Sequence, residues 1–71
     1  MRREPVVSSN IKAVGHDEKT SILEVEFNSG SVYQYTGVPK EVYTALVSAA
    51  SVGKYFGASV KGVYPFEKIS G

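Results

Sequence analysis

The sequence predicts a small α+β domain: a three-stranded antiparallel meander, with a C-terminal segment available as a fourth edge strand, packed on two helices in the order β-β-β-α-α-β. Three observations predict it. Residues 11–35 alternate apolar and polar side chains between turn-forming residues, residues 39–56 switch to the three-and-four spacing of a helix, and 71 residues leave room for one domain. A chain of this size hides only about 60% of the surface its unfolded form exposes, so one core must serve the whole fold. The domain is taken as residues 1–71, with 1–5 and 70–71 expected to be flexible.

Each element has a local reason. Ile11, Ala13 and Gly15 alternate with Lys12, Val14 and His16, the period of two that suits a first strand, and Asp17 to Thr20 read as a turn. Leu23, Val25 and Phe27 interleaved with Glu24 and Glu26 give the cleanest alternation in the chain, one face for a core and one for water. Asn28-Ser29-Gly30 fits a three-residue hairpin loop in which Gly30 takes the left-handed conformation, and a third strand, Ser31 to Tyr35, follows. Tyr33 and Tyr35 must then share a face.

Pro39 suits the first position of a helix, because its fixed φ is already helical and it forfeits no hydrogen bond there. Val42, Ala45, Leu46 and Ala49 recur at i, i+3, i+4 and i+7, so this helix is predicted to run to about Ala50 with one buried stripe. Ser51 can cap a second, short helix with Val52 and Phe56 on its buried face. That helix either stops at Gly57 or continues through Lys61; the stop is favoured, since glycine readily ends a helix. Pro65 pushes Tyr64 into an extended conformation, so Val63 to Ile69 reads as a last strand at the sheet edge.

Composition excludes more than it assigns. Hydrophobic content of 42% against 21% charge is that of a folding chain rather than a disordered one. Without cysteine there is neither a disulfide nor a thiolate ligand, which makes packing, or association with another chain, the source of stability. The basic start, Met1-Arg2-Arg3-Glu4-Pro5, has no apolar run behind it, and the most apolar stretch, Ala45 to Val52, falls far short of the roughly 20 residues of a membrane span. A cytoplasmic location is the expectation. Charge is uneven: residues 1–35 sum to −1 and residues 36–71 to +2, which permits a weakly basic C-terminal face.

The residues Ser8-Ser9-Asn10-Ile11, Leu23-Glu24-Val25-Glu26-Phe27, Gly30 with Val32-Tyr33-Gln34-Tyr35, Gly37-Val38-Pro39, and Ala50-Ser51 with Gly53-Lys54-Tyr55-Phe56 together resemble the KTSC domain family. That family is named for a C-terminal segment of some lysyl-tRNA synthetases and also occurs as short free-standing bacterial and phage proteins. The resemblance spans Val7 to about Phe66. Its tRNA-charging members imply RNA or tRNA as a partner. Two positions depart from the pattern: His16 stands where the family has Tyr, which implies a half-buried ring rather than a required catalyst, and Gly57 stands where Asn is common. The second exchange fits a left-handed stop, since Asn and Gly tolerate that conformation best.

The candidate site is the start of the second helix. Free N–H groups there favour an anion, Gly53 allows a phosphate to approach closely, Lys54 adds charge and Tyr55 offers a stacking surface. Ser51 and Gly53 also have a purely structural use, as helix cap and as packing contact. With Lys40 and Lys61, these residues make the proposed nucleic-acid or anion surface: Lys40, Ser51, Gly53, Lys54, Tyr55 and Lys61. The five tyrosines could stack on bases, but their rings serve a small core equally well. A single histidine and no cysteine leave a metal site short of ligands, and no serine sits in a nucleophile motif, so neither a metal, a cofactor nor catalysis is expected. The expected function is a non-catalytic module binding RNA, tRNA or another phosphate polymer. The alternative is a protein-interaction or homodimerisation module using the sheet edge or Ile22, Val32 and Val47.

Overall fold

A computed structural model describes residues 1–71. In chain order its elements are β1 (Glu4–Pro5), β2 (Ile11–Asp17), β3 (Ile22–Phe27), β4 (Val32–Tyr35), α1 (Lys40–Ser48), α2 (Val52–Ser59) and β5 (Phe66–Ser70). The five strands form one antiparallel sheet in the order β1-β2-β3-β4-β5. Both helices cover the same face of it.

The α+β class and the two helices are as the sequence predicts; the sheet is larger. Five strands replace the expected three or four because both ends of the chain pair. Glu4 and Pro5, expected to lie loose, pair with Val14 and Ala13, and Ser70 pairs with Val32. Proline signals against a central strand, but at an edge its missing N–H costs no ladder bond, and Pro5 sits there. At the tip of the β3–β4 hairpin Gly30 has φ +97°, the left-handed turn that its position demanded.

The cross-strand register assigns the faces. Val14 opposes Val25, His16 opposes Leu23, Tyr35 opposes Leu23 from the other side and Tyr33 opposes Val25, so these side chains share the helix-covered face. A bulge between Ile11 and Ala13 shifts the phase of β2 by one residue. Ile11, Val14 and His16 therefore point toward the helices, rather than Ile11, Ala13 and Gly15 in simple alternation. Ile11, Val14, Leu23, Val25, Tyr35, Val38, Leu46, Val52, Phe56 and Val60 make the core, with Phe27, Tyr33, Val42, Tyr43, Tyr55 and Tyr64 packed around it. Val32 is buried, and it shares with Ile22 the sheet face away from the helices while Val47 lies on α1, so the three do not form one contact patch.

The helix limits differ from expectation at three points. Pro39 is the N-cap of α1, with φ −71° and ψ 156°, rather than its first helical residue, and no side chain caps the helix. The helix ends at Ser48 instead of Ala50, because Ala49 is already extended and Ser51 must be extended to cap α2. Gly57 does not stop α2, which continues to Ser59. Val60, one turn beyond Phe56, is fully buried, and that burial outweighs the stop signal at an exposed glycine. The left-handed glycine that turns the chain is Gly62, at φ +78°.

Glu24 corrects the expectation of a water-facing strand side. It is only 7% exposed, yet it lies on the sheet face away from the helices. Its carboxylate accepts from Arg3 Nη1 at 2.7 Å and from Gln34 Nε2 at 2.9 Å. Arg3 reaches it by crossing β2 at Gly15, the residue paired with Glu24. A Cβ on Gly15 would stand 2.4 Å from the Arg2 carbonyl oxygen, so the close approach of β1 requires glycine there.

Candidate functional site

The helix-covered face leaves one end of the sheet open, and a groove of about 730 Å³ lies there. Its floor is aromatic. Phe27 meets Tyr33 edge-on at 5.5 Å, Phe56 meets Phe27 at 5.7 Å and Tyr35 at 5.5 Å, and Phe66 leans on Tyr33 at 5.5 Å and on Tyr35 at 5.7 Å. These separations are those of favourable ring pairs, so the floor is a rigid ladder. Burial pushes the Tyr35 phenol above its ordinary value of 10.0, with a smaller contribution from neighbouring Tyr33. Tyr35 therefore stays neutral well into the alkaline range.

The rim is polar and is built by local hydrogen bonding. Ser8 Oγ accepts from the N–H groups of Asn10 and Ile11, each at 3.3 Å, folding the residues before β2 into a turn. Asn28 Nδ2 donates to the carbonyls of Ser9 at 3.0 Å and Ser8 at 3.4 Å, which ties the hairpin tip to that turn. The Ser8-to-Ile11 segment is thus a brace beneath one wall of the groove. Asn10, Asn28, Ser29 and Ser31 line that wall, and Gly53, Gly57 and Lys61 line the wall made by α2 and its end.

The structure divides the six residues singled out in the sequence. Gly53 and Lys61 line the groove. Lys54 lies next to Gly53, exposed, and its N–H donates to Ser51 Oγ at 3.3 Å, so Ser51 is the N-cap of α2. Tyr55 is half-buried against the core and is not a free stacking surface. Lys40 belongs elsewhere: it is paired with Glu18 at 2.8 Å, at the start of α1. That hydrogen bond, and then the opposite charge, raise Lys40 above 10.5 and lower Glu18 below 4.5. His16, stacked on Tyr43 at 5.7 Å, donates from Nε2 to the Val38 carbonyl at 2.6 Å, which anchors the approach to α1.

Arg2, Arg3, Lys12 and Lys40 all engage carboxylates, whereas Lys19 in the β2–β3 turn and Lys54, Lys61 and Lys68 form no ion pair. The groove is lined by Lys61 and by no carboxylate, while Glu24 and Glu26 lie on the opposite face. Phe66, 61% exposed, is the residue that sequence reasoning missed as a site component. The available signal was its place two residues after the half-buried Tyr64, in a strand already expected at the edge. No helix is long and apolar enough to cross a membrane, and no three acidic, histidine or cysteine side chains cluster as metal ligands.

Together these features define a class: a small α+β domain with two helices on one sheet face and an aromatic-floored, carboxylate-free groove at its end. The sequence matches the KTSC domain over residues 7–64, and the chain belongs to that family. Its fold superposes on the crystal structure of a KTSC domain protein from Yersinia pestis with a TM-score of 0.94 at 38% identity, over 97% of each chain. It is 46% identical over 56 residues to an uncharacterized protein of Stutzerimonas stutzeri, covering 79% of each. It is also 44% identical over 62 residues to a lysine-tRNA ligase of Nostoc punctiforme, where the match covers 87% of this chain and 11% of the ligase.

Proposed function

We propose that this chain is a non-catalytic binding module that engages single-stranded RNA, or the single-stranded part of a tRNA, through α2, its end and β5. The observation that carries the reading is where the unpaired cations gather: three of the four lysines without an ion pair, Lys54, Lys61 and Lys68, belong to this side, the fourth being Lys19 in the β2–β3 turn, and the groove among them has no carboxylate. A phosphate chain running past an aromatic floor is what such a surface accommodates. The similarity to a segment of a lysine-tRNA ligase adds support, since that enzyme handles tRNA. Association of this kind acts in the cytoplasm, where RNA is available.

The test is a titration of short single-stranded RNA at two salt concentrations. Two phosphate contacts, from Lys54 and Lys61, predict a slope of about −1.4 in log K against log salt, or roughly a seven-fold loss between about 50 and about 200 mM. Replacing both Lys54 and Lys61 with alanine should flatten that slope. Retention that neither salt nor the double substitution changes would refute the reading.

One observation favours a second reading. Phe66 and Ile69 on the open edge strand β5, and Val63 in the turn before it, are 61%, 44% and 57% exposed, an apolar margin suited to another protein or a second copy. Light scattering separates the two, because an apolar interface persists in salt that dissolves a phosphate contact.

A further inference from the structure

We infer that the groove seats one unpaired nucleobase against the ring of Phe66, with the flanking phosphates at Lys61 and Lys54. This rests on the RNA reading above and specifies which part of the polymer the site takes.

Phe66 is the first residue of β5 and stays 61% exposed, although it lines the groove. Its ring is nonetheless held in place. Tyr33 backs it at 5.5 Å with an interplanar angle of 48°, and Tyr35 at 5.7 Å with 39°. Those tyrosines are in turn braced edge-on by Phe27 and Phe56. An exposed aromatic ring on a rigid backing is a preorganised stacking platform, since no rotamer freedom has to be surrendered when a flat ligand settles on it.

The opposite wall offers amides and hydroxyls, from Asn10, Asn28, Ser29 and Ser31. A base edge presents both donors and acceptors, and this set can meet either. Asn28 Nδ2 is committed to the Ser8 and Ser9 carbonyls, which leaves its Oδ1 as an acceptor beside the groove. The charge pattern selects among flat ligands: Lys61 is the one charged residue of the lining, Lys54 adjoins Gly53, and Lys68 opposes Tyr33 across the β4–β5 ladder. A neutral ring carried on a chain of phosphates matches this arrangement. The volume of about 730 Å³ lies within the range of small-ligand pockets and suits one nucleotide.

The platform also lies just outside the part of the chain that matches the family. That match ends at residue 64, two positions before Phe66. The stacking ring is therefore supplied by β5, outside the matched segment, whereas the amide-and-hydroxyl wall opposite it lies within that segment.

The chain contains no tryptophan, so a Phe66→Trp variant carries a single indole as reporter. It would be titrated with a six-nucleotide single-stranded RNA, an abasic ribose-phosphate of equal length, and free UMP and AMP. The RNA should quench the indole, the abasic strand should leave it bright, and Phe66→Ala should weaken RNA binding at least about five-fold. Because Phe66 is mostly exposed, the alanine variant should melt close to the parent, which separates lost binding from lost fold. Equal affinity for RNA and the abasic strand, with Phe66→Ala unchanged, overturns the base site while leaving the polymer reading intact. No binding of any ligand overturns both. Quenching by free nucleotides as strong as by RNA supports the base site and overturns the polymer. A salt-insensitive dimer that buries the indole assigns this face to a second copy and overturns the base site.

Discussion

Exchanging Gly57 and Gly62 for alanine, one at a time, should move stability in opposite directions. Gly57 lies within α2, exposed, and a Cβ built on it meets nothing within 4 Å. Alanine there removes unfolded-state freedom and improves helix propensity at no steric cost, a gain of about 0.4–1 kcal/mol. Gly62 also has open space around it, but its φ is +78°. Alanine at that position must hold the left-handed conformation, which costs roughly 1–2 kcal/mol. The two variants should thus differ by about 1.5–3 kcal/mol, and a domain of this size shifts by about 4–8 °C per kcal/mol. Urea unfolding followed by circular dichroism measures both, with equal slopes certifying that the unfolded states are comparable. A Gly57→Ala variant less stable than the parent would refute the continuation of α2 through residue 57, and a neutral Gly62→Ala would refute the left-handed turn at Gly62.

Two further perturbations probe the edges of the fold. Gly15→Ala should lift β1 away, because the new Cβ would collide with the Arg2 carbonyl at 2.4 Å, and the lost Arg3–Glu24 bond should bring the cost to about 2–3 kcal/mol. Arg3→Ala should then cost little in the Gly15→Ala background; additive losses in a double-mutant cycle would rule out a shared lift-off. Lys40→Met should alter the acid side of the stability profile. The lowered Glu18 carboxyl contributes stability that is present above 4.5 and lost as pH falls through its folded value, and the raised Lys40 contributes below 10.5 and loses this as pH rises through its own. Melting at about pH 6 and about pH 3 should show a small acid loss in the parent that is missing in the variant and abolished by salt, since both groups are fully exposed. Superimposable profiles at low salt would remove the pair from the account.

Much of the scaffold was legible because its signals are local. Leu23, Val25 and Phe27 face the core as their alternation requires, Leu46 joins Phe56 in that core with Val42 packed against it as their spacing requires, and Gly30 and Ser51 take the turn and cap that their chemistry suits. Tyr33 and Tyr35 share a face for the same reason. The site was legible only in part. Gly53 and Lys61 reach the groove, but Lys40 is held by Glu18, and Tyr55 turns toward the core while Phe66 supplies the exposed ring.

By itself, then, the amino-acid order determined which residues share a face inside each strand and helix, where two of the turns fall, and the family to which the chain is related. Tertiary structure alone decided that a two-residue strand closes the sheet at β1, that a bulge rephases β2, that α2 outlasts Gly57, and that Phe66 stands beside Tyr33 and Tyr35. The physical reason is one of range. Periodicity records neighbours two to four residues apart, whereas Arg3 and Glu24, Phe27 and Phe56, or Tyr33 and Phe66 become neighbours only when burial brings separate elements together.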